Sequence, residues 1–388
     1  MDLPKNVQHI INKLEAAGHE AFIVGGCVRD ALSGRTPKDW DITTSATPAQ
    51  AKAIFPRTID TGIKHGTITV LMDRQHYEVT TYRIDGQYLD SRRPETVTFT
   101  SDITEDLSRR DFTMNAIAYN PRTGFVDPFG GQADITAKKI RCVGEPTHRF
   151  TEDALRMLRA VRFAGTTGFA ICPQLLAAIK TLAPTLQKIS VERIKEELAK
   201  LVTSTHPQAV ELLEATGLLI FILPGITGIN TQWLKACPPL EAMRMALVLH
   251  NINPQKILKN LRYDNKTAKE ICIYVQLLAQ PLPISGYEIK KILRVTTQDI
   301  FLNFLQLKDI ITPGANTNTL REIIAEIYRN NECYTLKQLA INGKDLAEMG
   351  IPKGEKMGEI LEKLLDNVMQ DPAINTKTTL ITTINAMN

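Results

Sequence analysis

The stretch AFIVGGCVRDALSGRTPKDWDITT, residues 21–44, decides the fold of the first part of the chain. It begins with a short apolar run that ends in two glycines, which is typical of a strand entering a turn. Paired glycines let backbone N–H groups approach a phosphate closely, and Arg29 adds a planar guanidinium three residues after Gly26. Taken alone this pattern is weak, because an ordinary turn explains it at least as well.

Two aspartates, Asp39 and Asp41, stand two residues apart in the segment DWDITT. The segment has a strand-like pattern, and alternation along a strand places both carboxylates on the same face. Side-by-side carboxylates repel each other unless a cation lies between them, and oxygen ligands suit Mg²⁺. The pair is a candidate metal site, and an edge strand carrying two solvated charges is the alternative.

Glu78, in the segment YEVTT, is a candidate third carboxylate on another predicted strand. Three carboxylates on neighbouring strands could hold two Mg²⁺ ions, which activate a hydroxyl nucleophile and stabilise a pyrophosphate leaving group. An exposed strand residue is an equally good interpretation of Glu78. The chain has neither the G-x-x-x-x-G-K-[ST] loop nor the protein-kinase signatures, which excludes P-loop enzymes and protein kinases.

The surrounding sequence predicts a small α/β region. Residues 7–18 have the pattern of an amphipathic helix, with Val7, Ile10, Ile11 and Leu14 on one face. HGTITVLM and HYEVTTYRI alternate apolar and polar residues and are rich in Val, Ile, Thr and Tyr, so they are predicted to be neighbouring strands. KIRCVG, near residue 140, is a candidate for the last strand of the sheet.

From residue 151 onwards the pattern is almost entirely helical. Segments such as VERIKEELAKLVT, EAMRMALVLH and GEILEKLLDNVMQ place apolar residues at helical spacing. The sequence therefore predicts an α+β fold, with a head of about 140 residues and a long all-helical remainder.

Composition restricts the class of protein. The chain has 388 residues, 43% hydrophobic and 23% charged, with a formal net charge of +4. This mild excess fits an anionic partner without requiring one. The six cysteines are widely separated, which argues against a zinc site or a disulfide framework and favours the cytoplasm. We expect no signal peptide and no membrane span.

Four segments, taken together and in this order, resemble one family, the class II tRNA CCA-adding enzymes and bacterial poly(A) polymerases. The segments are GGCVRD (25–30), DWD (39–41), EDLSRRDFTMNA (105–116) and TEDALRMLRAVRF (151–163). The resemblance covers roughly the first 200 residues. It implies a polymerase-β-like nucleotidyltransferase head with a small mixed sheet, followed by an all-α neck, body and tail. We place these domains at residues 1–145, 146–203, 204–285 and 286–388.

The resemblance also implies roles for particular residues. Asp39 and Asp41 match the metal-binding catalytic aspartates, with Glu78 as a further catalytic candidate. Gly26 and Arg29 match positions that contact the incoming triphosphate. The remaining matches are to nucleotide-binding positions: Arg110, Asp111 near the ribose, and Asp153, Arg156, Arg159 and Arg162, which hold and select the base and its phosphates. Asn115 belongs to the same motif as Asp111, and the resemblance assigns it no definite role.

The last four of these residues recur at every third position and are predicted to form one ridge of a helix. Leu155, Leu158 and Val161 form the adjacent apolar ridge. A surface helix with ion pairs is the alternative. Cytosine and adenine each present an amino donor beside a ring-nitrogen acceptor, whereas uracil and guanine present the reverse. One aspartate and one arginine could therefore accept CTP and ATP and reject UTP and GTP.

Two more segments match the family. IDGQYLDSRRPETV (84–97) is predicted to be a mobile loop, which the resemblance links to the switch to ATP; a long hairpin loop is the alternative. SVERIKEELAKLVT (190–203) is assigned to support of the nucleotide pocket.

Near the end of the chain, INGKDLAEMGIPKGEKMGEILEKLL resembles the family's tRNA-binding tail. Gly350 to Gly354 are expected to precede a helix and to meet a backbone phosphate. A helical pair made only for packing is an equal alternative. Asn342 stands where the family usually has Thr.

The sequence thus predicts addition of C, C and A to the 3′ end of tRNA from CTP and ATP, with Mg²⁺ as cofactor. An A-adding enzyme or poly(A) polymerase with the same head is the nearest alternative. A non-catalytic RNA-binding protein is an alternative of another class, and the intact Asp39, Asp41 and Arg110 argue against it. A homodimer is left open.

Overall fold

The computed structural model describes residues 1–86 and 96–387. The chain divides into two compact units. The first contains Met1–Thr231 and Asn260–Arg262, and the second contains Gln232–Lys259 and Tyr263–Asn388.

The described strands all lie in the first unit. In chain order they are β1 (Ala21–Val24), β2 (Ile42–Thr44), β3 (Thr58–Gly62), β4 (Thr67–Met72), β5 (Gln75–Thr81), β6 (Arg83–Asp85), β7 (Val97–Phe99), β8 (Ala118–Asn120), β9 (Gly124–Val126), β10 (Lys139–Ile140) and β11 (Ala170–Ile171).

Seven of these strands form one mixed sheet in the order β3-β4-β5-β2-β1-β8-β9. Strands β2 and β5 are parallel, with Ile42 opposite Val79, and the other pairs are antiparallel. The prediction of a small mixed sheet at the N-terminal end is confirmed. The residues that precede β2 emerge at the centre of this sheet, between β1 and β5.

Helices surround the sheet in the first unit and make up the second. Those that begin before residue 231 are α1 (Lys5–Ala16), α2 (Gly26–Leu32), α3 (Pro48–Ile54), α4 (Ile103–Ser108), α5 (Gly131–Thr136), α6 (Pro146–Glu152), α7 (Leu155–Thr167), α8 (Pro173–Leu182), α9 (Val191–Val202), α10 (Glu211–Ala215) and α11 (Leu219–Ile222). The others are α12 (Thr231–Ala236), α13 (Glu241–Leu249), α14 (Gln255–Asn260), α15 (Asn265–Leu278), α16 (Gly286–Val295), α17 (Gln298–Ile311), α18 (Thr317–Arg329), α19 (Gly343–Glu348), α20 (Glu355–Gln370) and α21 (Lys377–Met387).

Burial follows the predicted periodicity. Helix α1 buries Val7, Ile10, Ile11 and Leu14, the face that the spacing indicates. On α7, the three residues of the predicted apolar ridge, Leu155, Leu158 and Val161, are at most 4% exposed. Burial of this ridge stabilises the position of α7 by about 25 cal/mol per Å² of apolar surface removed from water, and no residue from Leu155 to Thr167 is exposed.

Three local predictions are wrong. Asp39 and Asp41 precede β2 instead of lying within a strand. The strand near residue 140, β10, pairs with β11 and not with the main sheet, whose last strands are β8 and β9. The segment TEDALRMLRAVRF is not one helix: α6 ends at Glu152, Asp153 is extended with φ −143°, and α7 starts at Leu155.

The segment predicted to be a mobile loop is bounded by β6 and β7, which pair in antiparallel fashion from Arg83 opposite Phe99 to Asp85 opposite Val97. Residues 87–95, on which that prediction mainly falls, lie outside the described residues.

The second unit has a buried core in its C-terminal part. Its members are Cys333, Leu339, Ile341, Leu346, Ile351, Met357, Leu364, Leu365, Val368, Met369, Leu380 and Ile384. Gly350 and Gly354 precede α20 as predicted, and both have positive φ. Asn342 caps α19 and forms a capping box with Asp345, so an amide takes the capping role of a hydroxyl at this position.

No helix among the described residues is both long enough and apolar enough to span a lipid bilayer.

Candidate active site

A cavity of about 960 Å³ in the first unit brings together nearly all of the predicted site residues. It is lined by Gly25, Gly26, Arg29, Asp39, Asp41, Thr61, His65, Arg83, Asp85, Arg109, Arg110, Asp111, Asn115, Asp153, Arg156, Arg159, Arg162, Phe163, Arg193 and Lys200. Of the predicted residues, Glu78 alone is not part of this lining. The aspartate pair and the arginines of α7 thus share one cleft, although the role of each residue stays a prediction.

The turn after β1 depends on Gly25. Its φ of 80° lies in the left-handed region, and a Cβ at this position would come within 3.0 Å of Arg110 Nη1. Glycine therefore serves two purposes here, a backbone conformation that other residues adopt only with strain and room for a guanidinium. Helix α2 begins directly afterwards, and its Arg29 donates from Nη1 to Asn115 Oδ1 at 2.7 Å.

The aspartate pair is electrostatically strained. Loss of water around Asp41 raises the pKa of its carboxyl above the ordinary value, Asp39 raises it further, and Arg110 partly opposes both effects. The side chains of Asp39 and Asp41 remain exposed to the cavity. Repulsion between two acids in a concave site is relieved by a bound cation, and their oxygens are the donors that hard divalent ions prefer.

Glu78 lies on β5, beside this pair. Because Ile42 is opposite Val79 in parallel strands, the residues before them, Asp41 and Glu78, are neighbours. The pKa of Glu78 is raised by desolvation and then by the charges of Asp41 and Asp39. Its side chain is exposed, and it does not line the cavity. The proximity of Glu78 to Asp41 supports a catalytic role for Glu78. Its position outside the cavity lining argues against that role.

The protein supplies only part of a metal coordination shell. In residues 1–86 and 96–387 no group of three His, Cys, Asp or Glu side chains could hold a metal ion. Two carboxylates suit an ion whose other ligands are substrate phosphates and water, which is the usual way in which Mg²⁺ binds. The donor set therefore fits a divalent ion that arrives with a nucleotide.

Sequence reasoning missed Asp106, a fully buried acid behind the cavity. Its carboxylate accepts from Arg109 Nε at 3.0 Å and Arg109 Nη2 at 2.8 Å, and from Arg110 Nη2 at 3.4 Å. Burial alone would raise its pKa, but Arg109 and Arg110 lower it. Asp106 thus fixes both arginines. Its spacing of three and four residues from them on α4 and the following turn was the available signal.

Asp111 is held from two directions. Its Oδ1 accepts from Phe112 N at 2.8 Å and from Asn115 Nδ2 at 3.0 Å, while Oδ2 accepts from Arg159 Nε at 2.8 Å. Burial would raise the pKa of Asp111, but the charge of Arg159 and these hydrogen bonds outweigh burial and lower it. Asp111 is therefore ionised throughout the physiological range.

Asp153 lies in the break between α6 and α7. Its carboxylate pairs with Arg193 of α9, with Nη2 at 2.7 Å from Oδ2, and also accepts from Leu155 N at 3.1 Å. Arg156 is only 8% exposed; it pairs with Glu152 and donates from Nη2 to Arg109 O at 3.0 Å. The break thus turns Asp153 towards α9, a direction that a continuous helix would not have given it.

Helix α9 supplies further residues that the sequence did not single out. Buried Glu197 accepts from Arg162 Nε at 2.7 Å and lies 3.8 Å from Arg159 Nη1. The guanidiniums of Arg162 and Arg29 lie 3.5 Å and 5.0 Å from the ring centre of Phe163. These contacts support the predicted role of this segment in building the pocket.

Positive charge predominates in the cavity. Eight arginines and one lysine line it against five aspartates. The acids Asp39 and Asp41 lie near the glycine turn, and Asp153 and Arg156 lie with the α6–α7 break. A polyanion with a polar ring at one end, such as a nucleoside triphosphate, matches this distribution of charge.

Comparisons with known proteins agree with this chemistry. Residues 21–141 match the model of the poly(A) polymerase head domain, residues 168–229 that of an RNA- and SrmB-binding site of polymerase A, and residues 241–384 that of tRNA nucleotidyltransferase domain 2. The chain is 40% identical to a CCA-adding enzyme of Geobacillus stearothermophilus, with 95% of this chain and 93% of that protein covered. It is 37% identical to one from Levilactobacillus brevis, with 97% and 96% covered.

Solved structures give the same result. The crystal structure of a Bacillus stearothermophilus CCA-adding enzyme in complex with CTP has a TM-score of 0.87 and 36% identity, covering 100% of this chain and 99% of that one. A Thermotoga maritima CCA-adding enzyme complexed with tRNA, at 20% identity and a TM-score of 0.69, shares the fold, with 99% and 95% covered. Since similarity at this level extends over nearly the full length of both chains, the chain belongs to the CCA-adding enzymes, a family of tRNA nucleotidyltransferases.

Proposed function

We propose that this protein adds C, C and A to the 3′ end of tRNA, using CTP and ATP and no nucleic-acid template. The observation that carries the proposal is the one cavity lined both by the carboxylates Asp39 and Asp41 and by Asp153 and Arg156, the residues proposed to read the base. The RNA 3′-hydroxyl attacks the α-phosphate, a new phosphodiester bond forms, and pyrophosphate leaves.

Enzymes of this family generally use a divalent metal ion, and we propose Mg²⁺. Asp39 and Asp41 would hold it, with Glu78 as a candidate third carboxylate. The bound ion would lower the pKa of the attacking hydroxyl and neutralise charge on the phosphates. The contribution of the chain is to place both carboxylates in one cavity, where the charge of Arg110 partly offsets the rise that burial causes in the pKa of Asp41.

The triphosphate would lie against the glycine turn. Gly26 offers backbone N–H at the start of α2, while Arg29 and Arg110 offer guanidiniums. Asp111, held by Arg159 and Asn115, would face the ribose. Because Asn115 also receives a hydrogen bond from Arg29, one amide links the residues proposed for the ribose and for the triphosphate.

Asp153 and Arg156 would read the base. Each carboxylate oxygen can accept more than one hydrogen bond, so Asp153 can keep Arg193 and still accept from the amino group of cytosine or adenine. Arg156 would donate to the ring nitrogen beside it. Against uracil or guanine the same pair faces a carbonyl and an N–H, which leaves buried polar groups unsatisfied. Arg159 and Arg162 would support this surface through Asp111 and Glu197.

The helical remainder is proposed to bind tRNA. The proposed domains are a head (1–145), a neck (146–203), a body (204–285) and a tail (286–388), with Gly350–Gly354 as a candidate phosphate contact in the tail. Location in the cytoplasm stays a prediction, and a homodimer stays open.

The proposal is tested by incubating the protein and Mg²⁺ with tRNA that lacks its terminal CCA, supplying one labelled nucleotide at a time and then mixtures. We expect CTP alone to add two nucleotides, ATP to be added only after them, and UTP and GTP to be rejected. Addition of A alone to the truncated end, without C, would identify an A-adding enzyme or poly(A) polymerase and overturn the proposal. No incorporation at all would favour a non-catalytic RNA-binding protein.

A further inference from the structure

The arginines of the cavity are already committed to protein acids. Each of the eight forms an ion pair: Arg29 with Asp30, Arg83 with Asp85, Arg109 and Arg110 with Asp106, Arg156 with Glu152, Arg159 with Asp111, Arg162 with Glu197, and Arg193 with Asp153. Ion pairing of this kind orients a guanidinium but also reduces the positive charge that it presents to a ligand.

Lys200 differs from these arginines. It lines the same cavity and its side chain is exposed. Within the part of the chain that the structure describes, Lys200 makes no side-chain hydrogen bond and no ion pair. It is therefore the one lining cation, among described residues, whose charge no protein acid offsets. A full charge on a flexible stem, facing a cavity built for a polyanion, is suited to a phosphate group.

The position of Lys200 on α9 indicates which part of the nucleotide it meets. Arg193, Glu197 and Lys200 follow one another at intervals of four and three residues, so they lie on one face of the helix. Arg193 contacts Asp153, and Glu197 contacts Arg162 further along α7. Helices α7 and α9 therefore run side by side in the same direction, from Asp153, the residue proposed to read the base, towards Phe163 and Arg29.

Lys200 continues this progression, about 10 Å from Arg193 along the helix axis. That direction leads away from the base and towards Arg29, whose guanidinium lies 5.0 Å from the Phe163 ring centre. Since Arg29 and the glycine turn form the proposed triphosphate end, Lys200 lies at the phosphate side of the cavity.

We infer that Lys200 binds a phosphate of the incoming nucleoside triphosphate and so makes α9 part of the substrate site. This inference rests on the proposed nucleotidyl transfer. It adds a substrate contact from residues 190–203, the segment that the sequence assigned only to support of the nucleotide pocket. The ammonium group adds a strong hydrogen-bond donor. It does not compete with the arginines for the acids to which they are paired.

The test compares Lys200→Gln, Lys200→Arg and the wild type in the incorporation assay, with CTP or ATP varied at saturating tRNA and tRNA varied at saturating nucleotide. A second readout is calorimetric binding of CTP without RNA. The matched control is Lys180→Gln, which removes another exposed lysine, on α8 and outside the cavity lining.

For Lys200→Gln we expect KM for CTP and ATP to rise about three- to tenfold, with kcat and KM for tRNA within about twofold of wild type. Lys200→Arg should recover most of the loss, and Lys180→Gln should behave as wild type. Unchanged nucleotide binding in Lys200→Gln overturns the inference, as does a change in KM for tRNA alone, which would assign the lysine to the RNA backbone. A wild-type protein that adds no nucleotide refutes the proposed function instead, and the calorimetric arm still reports on Lys200.

Discussion

Arg159 reaches from α7 to Asp111, 48 residues earlier in the chain, with its Nε 2.8 Å and its Nη2 2.7 Å from the same carboxylate oxygen. This contact joins two motifs, EDLSRRDFTMNA and TEDALRMLRAVRF, that are separate in sequence. The second oxygen of Asp111 is held by Asn115, which in turn accepts from Arg29. One carboxylate therefore sets the position of groups from three elements of the cavity.

Replacing Asp111 with Asn should lower both stability and nucleotide affinity. The amide keeps the shape of the side chain but removes the nearer of the two acids that face Arg159, leaving only Glu197 at 3.8 Å. Because Arg159 is 33% exposed, we expect a loss of only about 1–3 kcal/mol in the free energy of unfolding. Urea denaturation at neutral pH measures this loss, and the same acid-to-amide change at exposed Asp73 serves as control.

The pH dependence of that loss follows from the lowered pKa of Asp111. Below the ordinary value of 3.8 the unfolded chain takes up a proton before the folded protein does. The stabilisation is thus complete above about this value and disappears as the pH falls through the lower folded-state pKa. The difference between wild type and Asp111→Asn should be constant near neutral pH and shrink in acid. A difference that grows in acid would contradict this account.

Gly25→Ala should impair nucleotide binding more than its backbone strain alone explains. The new Cβ would lie 3.0 Å from Arg110 Nη1, so the guanidinium must move. Gly18→Ala is the control, because Gly18 has a φ of 84° and a Cβ added there would have no neighbouring atom within 4 Å. Gly18→Ala should lose about 1 kcal/mol of stability from its positive φ, and Gly25→Ala about 1–3 kcal/mol, because the ψ of −124° at Gly25 lies outside the left-handed helical region. Only Gly25→Ala should raise KM for CTP. Equal values of KM in the two variants would show that the space which Gly25 leaves for Arg110 does not matter for nucleotide binding.

The carboxylates near the glycine turn should differ in importance. Asp41→Asn should reduce incorporation about a hundredfold or more, because it removes a charge that would hold the metal ion. Glu78→Gln should have a smaller effect, since Glu78 lies outside the cavity lining. Asp73→Asn again controls for loss of an acid. Equal losses in Asp41→Asn and Glu78→Gln would place Glu78 among the metal ligands, and full activity in Asp41→Asn would remove the metal assignment.

The acid side of the pH–activity profile should respond to magnesium. Desolvation and Asp39 raise the pKa of Asp41, so protonation of this carboxyl begins at a higher pH than for a free aspartate. Cations and protons compete for the same oxygens. Raising the Mg²⁺ concentration should therefore move the acid limb to lower pH. A limb that stays fixed while Mg²⁺ increases from limiting to saturating would show that another group controls it.

Base selection should weaken in Asp153→Asn. A carboxylate only accepts hydrogen bonds, whereas an amide also donates and can meet the carbonyl of uracil or guanine. We expect the ratio of kcat/KM for CTP over UTP to fall about tenfold or more. Asp111→Asn provides the comparison, because it should lower kcat/KM for all four nucleotides by a similar factor. An unchanged ratio in Asp153→Asn would exclude Asp153 from reading the base.

The sequence alone predicted those features that depend on local spacing. Apolar residues at helical intervals located α1, α7 and α9 and the buried ridge of Leu155, Leu158 and Val161. Glycine followed by arginine located the turn after β1, and four short motifs indicated a nucleotidyltransferase. In each case neighbouring residues dictate the outcome, because turn conformation and one-sided burial are set within a few positions of the chain.

Only the tertiary structure decided which residues meet. No local pattern joins Arg193 to Asp153 or Glu197 to Arg162, and both pairs form because α9 packs along α7. The break at Asp153, the pairing of β8 and β9 at one end of the sheet, and the position of Glu78 outside the cavity lining likewise depend on distant partners. Ion pairs and strand pairings act through space, so their energies are fixed by packing and not by the order of residues along the chain.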